Sequence, residues 1–266
     1  MTDTGYNKRM RLRFFLAFIV TAIIAISGAS AKLKANEVDL PFSPGEKLTF
    51  RLKWIFIPVG EAVLEVLPVE TLKDIKAFHF VMTATTNSFF DKLHKVRDRI
   101  DAYTDVEMTH SVLYKKKQRE GSRKRDVVVN IDWQKNQAQY SNFNNERMPI
   151  DLLPGAFDPL SSFYFMRLLD LKNEVLKRPV TDGKRCVVGK ATVIKRETIK
   201  VGNNTYDTYL IEPELKHIRG VFEKSKNATI QIWVTADRRH IPVKIKSKVI
   251  VGTFVGELVS AEGLTF

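Results

Sequence analysis

From residue 44 onward, apolar and polar residues alternate with a period of two over most of the chain. Leu48, Phe50, Leu52, Trp54 and Phe56 interleave with Thr49, Arg51 and Lys53, and Ala62, Leu64 and Val66 resume the alternation after Pro58-Val59-Gly60. The pair predicts a β-hairpin. Phe78, Phe80, Met82 and Ala84 predict a third strand, followed by a helical turn over residues 88–94. Further strands are expected at 96–103, 109–114, 125–133 and 138–143. Residues 178–184 read as a turn-rich link. Strands then resume at 186–199 and 205–212, hinged at Gly202-Asn203-Asn204, and at 229–235, 240–251 and 252–259. Short strands at even spacing argue for a mainly β fold, an antiparallel sheet curled into an open or closed barrel, with a sandwich as the alternative.

One stretch departs from this period. Leu160, Phe163, Tyr164, Leu168 and Leu171 recur at helical spacing, while Phe165, Met166 and Leu169 make the opposite face apolar as well. Asp158 suits an N-cap and Pro159 the first helical position. The pattern predicts a central helix at about 158–171, buried on both sides within the curve of the sheet. Arg167 falls on its apolar face, where a guanidinium needs a partner. The expectation is an ion pair with a strand carboxylate; the functional alternative is an anchor for an acidic head group.

The first 31 residues have a different character. Lys8, Arg9, Arg11 and Arg13 precede an apolar run from Phe14 to Ile26, and Ala29-Ser30-Ala31 fits a cleavage site. The run is short for a spanning helix. Residues 1–31 are therefore expected to be a cleavable signal peptide, and residues 32–266 a single β-rich domain delivered to the periplasm of a Gram-negative bacterium. The formal charge is +13. The leader's four basic residues against Asp3 remove three of these charges, leaving about +10. An exported basic protein is expected to meet anionic lipid or envelope polymer, not nucleic acid. Cys186 is the single cysteine, so no internal disulfide is available.

Lys115, Lys116, Lys117, Arg119, Arg123, Lys124 and Arg125 make a basic run, read as a solvated hairpin tip with an anionic surface as its candidate contact. His79, His94, His110, His217 and His240 show no metal spacing, so no metal and no cofactor are expected. Nucleophile elbows and phosphate-binding loops are absent. Asp98 and Asp101 fall on opposite faces of one strand, which argues against a paired-carboxylate mechanism.

Several segments, in order along the chain, resemble the bacterial family of exported proteins of unknown function DUF3108. They are Pro44-Gly45-Glu46 with Leu48 and Gly60; Asp158-Pro159-Leu160-Ser161 with Tyr164 and Arg167; Trp233-Val234-Thr235-Ala236-Asp237 with Ile241-Pro242-Val243; and Gly256 with Leu258. The resemblance implies an exported β-rich domain and no catalytic residues. The leading expectation is a non-enzymatic domain that binds a hydrophobic or amphipathic, lipid-like ligand between sheet and helix. Trp54, Phe56, Phe163, Tyr164, Phe165, Met166, Arg167 and Trp233 are its candidate contacts. The alternative is an envelope structural or interaction protein whose barrel is filled by its own side chains. A hydrolase ranks last.

Overall fold

The computed structural model of the chain describes residues 40–264 except 173–174, 217–224, 226 and 251. The expected signal peptide, the lead-in to residue 39 and His217 lie outside the described residues. Fifteen strands form one antiparallel sheet: β1 Lys47–Trp54, β2 Ile57–Leu72, β3 Ile75–Thr86, β4 Arg97–Asp105, β5 Ser111–Glu120, β6 Arg123–Asp132, β7 Gln137–Asn142, β8 Asn145–Glu146, β9 Ile150–Asp151, β10 Val175–Thr181, β11 Cys186–Val201, β12 Asn204–Pro213, β13 Thr229–Thr235, β14 Pro242–Val249 and β15 Gly252–Glu262. Among the described residues two helices interrupt them, α1 at Ser88–His94 and α2 at Pro159–Met166. Among the described residues no helix is long and apolar enough to cross a membrane.

The sheet runs from β10 through β15, crosses to β1, and continues to β7 and β8, with β9 paired to β7. Two meanders are thus joined where β15 pairs with β1. The barrel is curled but not closed by a continuous ladder. At the seam, β9 pairs with β7 through Ala138 and Ile150. A few residues later Phe157 makes a parallel bridge to Val180 of β10. The segment 150–157 therefore spans the gap between the two ends of the sheet. The Leu153 N–H also points at Cys186 Sγ, 3.4 Å away.

Period-two alternation sets the inner face. Leu48, Phe50 and Leu52 of β1, Phe80, Met82 and Ala84 of β3, and Val127, Val129 and Ile131 of β6 are buried in one core with α2. Each fully buried large apolar side chain contributes roughly 1.5–3 kcal/mol. Every residue of α2 is buried, as a helix apolar on both faces requires. The helix is shorter than the expected 158–171. It ends at Met166, and Arg167 to Leu169 continue as tight turns, with backbone donors reaching only three residues back. The reason is visible in Arg167, whose guanidinium is held by groups from two distant segments and draws the chain out of the helix.

Two further expectations need correction. The link at 178–184 is strand as far as Thr181, the end of edge strand β10 (Val175–Thr181). The basic run is strand as far as Glu120 and again from Arg123, so the turn is only Gly121-Ser122.

Candidate functional site

The space between α2 and the sheet, expected to receive a ligand, is occupied by side chains of the protein. The Tyr164 ring stacks on Phe80 with centroids 4.0 Å apart, and Phe42 meets it edge-on at 5.3 Å. Phe165 lies against Phe157 at 5.0 Å and is capped by the Arg178 guanidinium at 4.2 Å. Phe163 and Met166 are fully buried. The helix is anchored at its start by Asp158, whose carboxylate accepts from the backbone N–H groups of Leu160 and Ser161 and from the hydroxyls of Ser111 and Ser161. Burial pushes the Asp158 carboxyl up, against these hydrogen bonds. Thr104 donates to Ser161 Oγ at 2.5 Å. This hydroxyl–carboxylate chain is sealed from solvent.

Arg167, a candidate for an acidic head group, is committed elsewhere. Its Nη1 and Nη2 donate to Glu46 Oε1 and Oε2 at 2.5 and 2.8 Å, its Nη2 also to the Pro41 carbonyl, and its Nε to the Arg239 carbonyl. His240 Nδ1 in turn lies 3.0 Å from the Arg167 carbonyl. Three segments that carry the family resemblance, far apart in sequence, converge on this one guanidinium. The ion pair with a carboxylate beside the first strand is the structural reading of Arg167, and it leaves that group unavailable to a ligand.

The other aromatic candidates scatter. Trp54 is half-buried, stacked on Phe254 at 6.4 Å and edge-on to Phe90 at 6.5 Å. Phe56 is 86% exposed at the β1–β2 tip. Trp233 sits on the outer face of β13 in a small cluster with Val201, Leu210 and Val243, its Nε1 donating to Glu197. The eight predicted contacts therefore do not line one pocket.

Strand alternation splits the basic run. Lys115, Lys117, Arg119 and Lys124 are exposed. Lys116, Arg123 and Arg125 are only half-exposed, on the same face as the buried Gln118 and Glu120. The reading of all seven as a solvated tip is thus corrected. A charged cluster of side chains results, missed in the sequence because Lys, Gln and Glu at inward positions hide the period. Asp98 accepts from the Arg119 backbone N–H at 2.9 Å, and Gln118 Nε2 donates to Glu120 Oε1 at 3.1 Å. Glu120 Oε2 is buried without a hydrogen-bond partner. Burial, then the neighbouring Asp98, pushes the Glu120 carboxyl up to about 7. Burial pulls Lys116 down to about 8, against the pull of Glu120 and Asp98.

On the outside, His79 also turned out to be more than an ordinary sheet residue. Its ring nitrogens lie 2.7 Å from Glu70 and 2.9 Å from Asp101, and the ring stacks on Tyr103 at 4.2 Å. Burial raises the Asp101 carboxyl, but hydrogen bonds from His79 and Arg99 outweigh it and hold the group at about 2. Among the described residues no group of three or more His, Cys, Asp or Glu is placed to hold a metal ion.

An open groove of about 550 Å³ lies between the β11–β12 hairpin, the 235–241 turn and β15. Ile241, Val243, Leu258 and Leu264 line it, and Arg196–Asp207 and Arg239–Asp237 ion pairs border it.

The comparisons agree with this architecture. Residues 49–259 match the family described as "Protein of unknown function (DUF3108)". The chain belongs to this family. No curated protein matches. Among solved structures, the DUF3108 chain is similar to a β-barrel-like protein of domain of unknown function DUF1849 from Brucella abortus. The TM-score is 0.54 at 10% identity, covering 82% of this chain and 97% of the other. It is also similar, at a TM-score of 0.35 and 9% identity, to the hypothetical protein CT021 from Chlamydia trachomatis, over 84% of this chain and 88% of the other. The first likeness shows the barrel-like fold alone.

Proposed function

We propose that this DUF3108 protein is a non-enzymatic, self-filled barrel of the bacterial cell envelope that acts through its outer surface. The observation that carries the reading is the cluster of Tyr164 with Phe80 and Phe42, with Arg178 over Phe165: the concave side is packed by the chain's own rings. The expected lipid-like ligand between sheet and helix would have to displace them. The leader-like residues 1–31 support export. The burial of Ser161 and its carboxylate partner supports a structural role for that chain of groups. Native mass spectrometry and solvent extraction of the purified protein test the reading. No stoichiometric amphiphile is expected. A bound lipid that is lost when Met166→Trp fills the interior would overturn it.

A second reading has one observation in its favour. The outer groove has the volume of a small-molecule site, an apolar floor and charge-compensated rims, which suits an amphipathic ligand. Binding of a fluorescent fatty-acyl probe that Leu258→Arg abolishes would support it; binding unchanged by that substitution would remove it.

A further inference from the structure

We propose that one end of the barrel is a docking surface for an anionic lipid bilayer. The inference rests on the reading that the protein works through its surface, and it names the partner. The β1–β2 tip carries Ile55, Phe56 and Ile57, α1 carries Phe89 and Leu93, and the β14–β15 turn carries Ile250; all are exposed, Phe56, Phe89 and Ile250 by 86, 66 and 68%. These pieces share one end of the molecule and are tied together. Asn87, the N-cap of α1, donates from Nδ2 to the Pro58 carbonyl at 2.9 Å. The Ile55 N–H donates to the Thr253 carbonyl at 2.7 Å. Beneath them, Trp54 packs between Phe90 and Phe254.

The β5–β6 tip stands beside α1, with the Gly121 N–H donating to the Lys95 carbonyl at 2.8 Å. The outward half of the basic run therefore flanks the apolar projections. Arg119 and Lys124 join Lys92, Lys95 and Lys248 as exposed cations. The carboxylate of α1, Asp91, is paired with Arg97 at 2.6 Å. Projecting apolar tips flanked by exposed cations match the two layers of a bilayer surface, acyl chains beneath anionic head groups.

The backbone adds an independent argument. Ile55 has φ 59°, in the left-handed region that β-branched residues avoid. It occupies the first position of a two-residue hairpin turn with positive φ there, a place suited to glycine. The strained choice puts an apolar side chain, 46% exposed, on the tip, where glycine would relieve the backbone.

The test is flotation of the purified protein with phosphatidylcholine vesicles, with and without phosphatidylglycerol. Binding is expected only with phosphatidylglycerol and is expected to weaken with salt. Phe56→Ser with Phe89→Ser is expected to lower binding roughly tenfold or more. Glutamate at Lys92, Lys95 and Lys124 is expected to abolish it. Ile55→Gly separates function from folding: its thermal midpoint is expected to hold or rise while vesicle binding falls. No binding to phosphatidylglycerol vesicles, or binding unchanged in the Phe56/Phe89 variant, overturns the proposal. So does self-association that the same variant abolishes, which would assign the surface to a second copy. Extraction reports on the interior and flotation on the surface, so the two readings fail separately.

Discussion

At the scale of single residues, the Tyr164 hydroxyl and the Glu120 carboxyl are among the described buried groups that depart from the rule that interior polar atoms are satisfied. The Tyr164 hydroxyl is fully buried and has no hydrogen-bond partner, although its ring is among the best packed in the core. Removing such a hydroxyl relieves a desolvation cost and loses little dispersion. Tyr164→Phe is therefore expected to stabilise the fold by on the order of 1 kcal/mol, about 2–4 °C in Tm, by calorimetry. A clear loss of stability would mean that the hydroxyl has a partner. Glu120 is the second group. Its folded pKa, about 7, lies above its ordinary 4.5, so the folded state holds a proton that the unfolded state has already released. Its stabilising effect is complete below pH 4.5 and is lost as pH rises through 7. Stability by urea unfolding should fall by roughly 3 kcal/mol across that window, and Glu120→Gln should flatten the fall. Lys116 acts on the other limb. Its folded pKa of about 8 is below 10.5, so stability recovers as pH rises from 8 toward 10.5. Neither group was legible in the sequence, because an unsatisfied atom or a displaced pKa belongs to the surroundings that folding assembles.

At the scale of elements, α2 shows what local signals can do. Asp158 and Pro159 start it where expected, and the cap works through side-chain contacts two and three residues away. The end was misplaced because Arg167 answers to Glu46, a residue 121 positions earlier. This buried pair latches the helix to the turn before β1, and its two partners must be judged together. Glu46→Ala should cost about 3–5 kcal/mol in chemical denaturation, since it strands a buried guanidinium. Glu46→Leu combined with Arg167→Met should recover most of that loss, because an apolar pair avoids the desolvation of both charges. The strands β1, β3 and β13 were legible from alternation, β13 at its full extent, but the first turn falls at Ile55-Phe56, so that Phe56 leaves the strand and Pro58-Val59-Gly60 lie inside β2. β5 and β6 were shortened in the reading because charged residues occupy their inward positions, so the expected apolar period disappears. Edge strand β10 was missed, with Pro179 inside it and a single bridge to Phe157 on its other side.

At the scale of the whole molecule, the seam is the weak place in an otherwise continuous ladder. β8 and β9 each hold β7 through two residue pairs, and β10, paired to β11 along its length, has only the Phe157 bridge on its other side, whereas β1, β2, β3 and β15 are paired along both sides. Amide exchange is expected first in 145–157 and 175–181 and last in β1 to β3. Cys186, half-buried at the seam with its thiol pushed up by burial, gives a second readout. Its alkylation should be slow in the native protein and faster in Phe157→Ala, which loosens the bridge to β10. Uniform exchange across the sheet, or fast alkylation of the native thiol, would contradict a seam that opens before the rest.

The sequence by itself determined the class of the fold, the place of the helix and its cap, and the inward side of the regularly alternating apolar residues of strands such as β1 and β3, though not of Trp233. Those properties depend on the two- and 3.6-residue periods and on contacts a few positions apart. Only the tertiary structure decided that the concave side is filled and that Arg167 is spent on Glu46. Each of these is settled by which strands curl next to which. Pairing over 100 or more positions leaves no trace in local pattern.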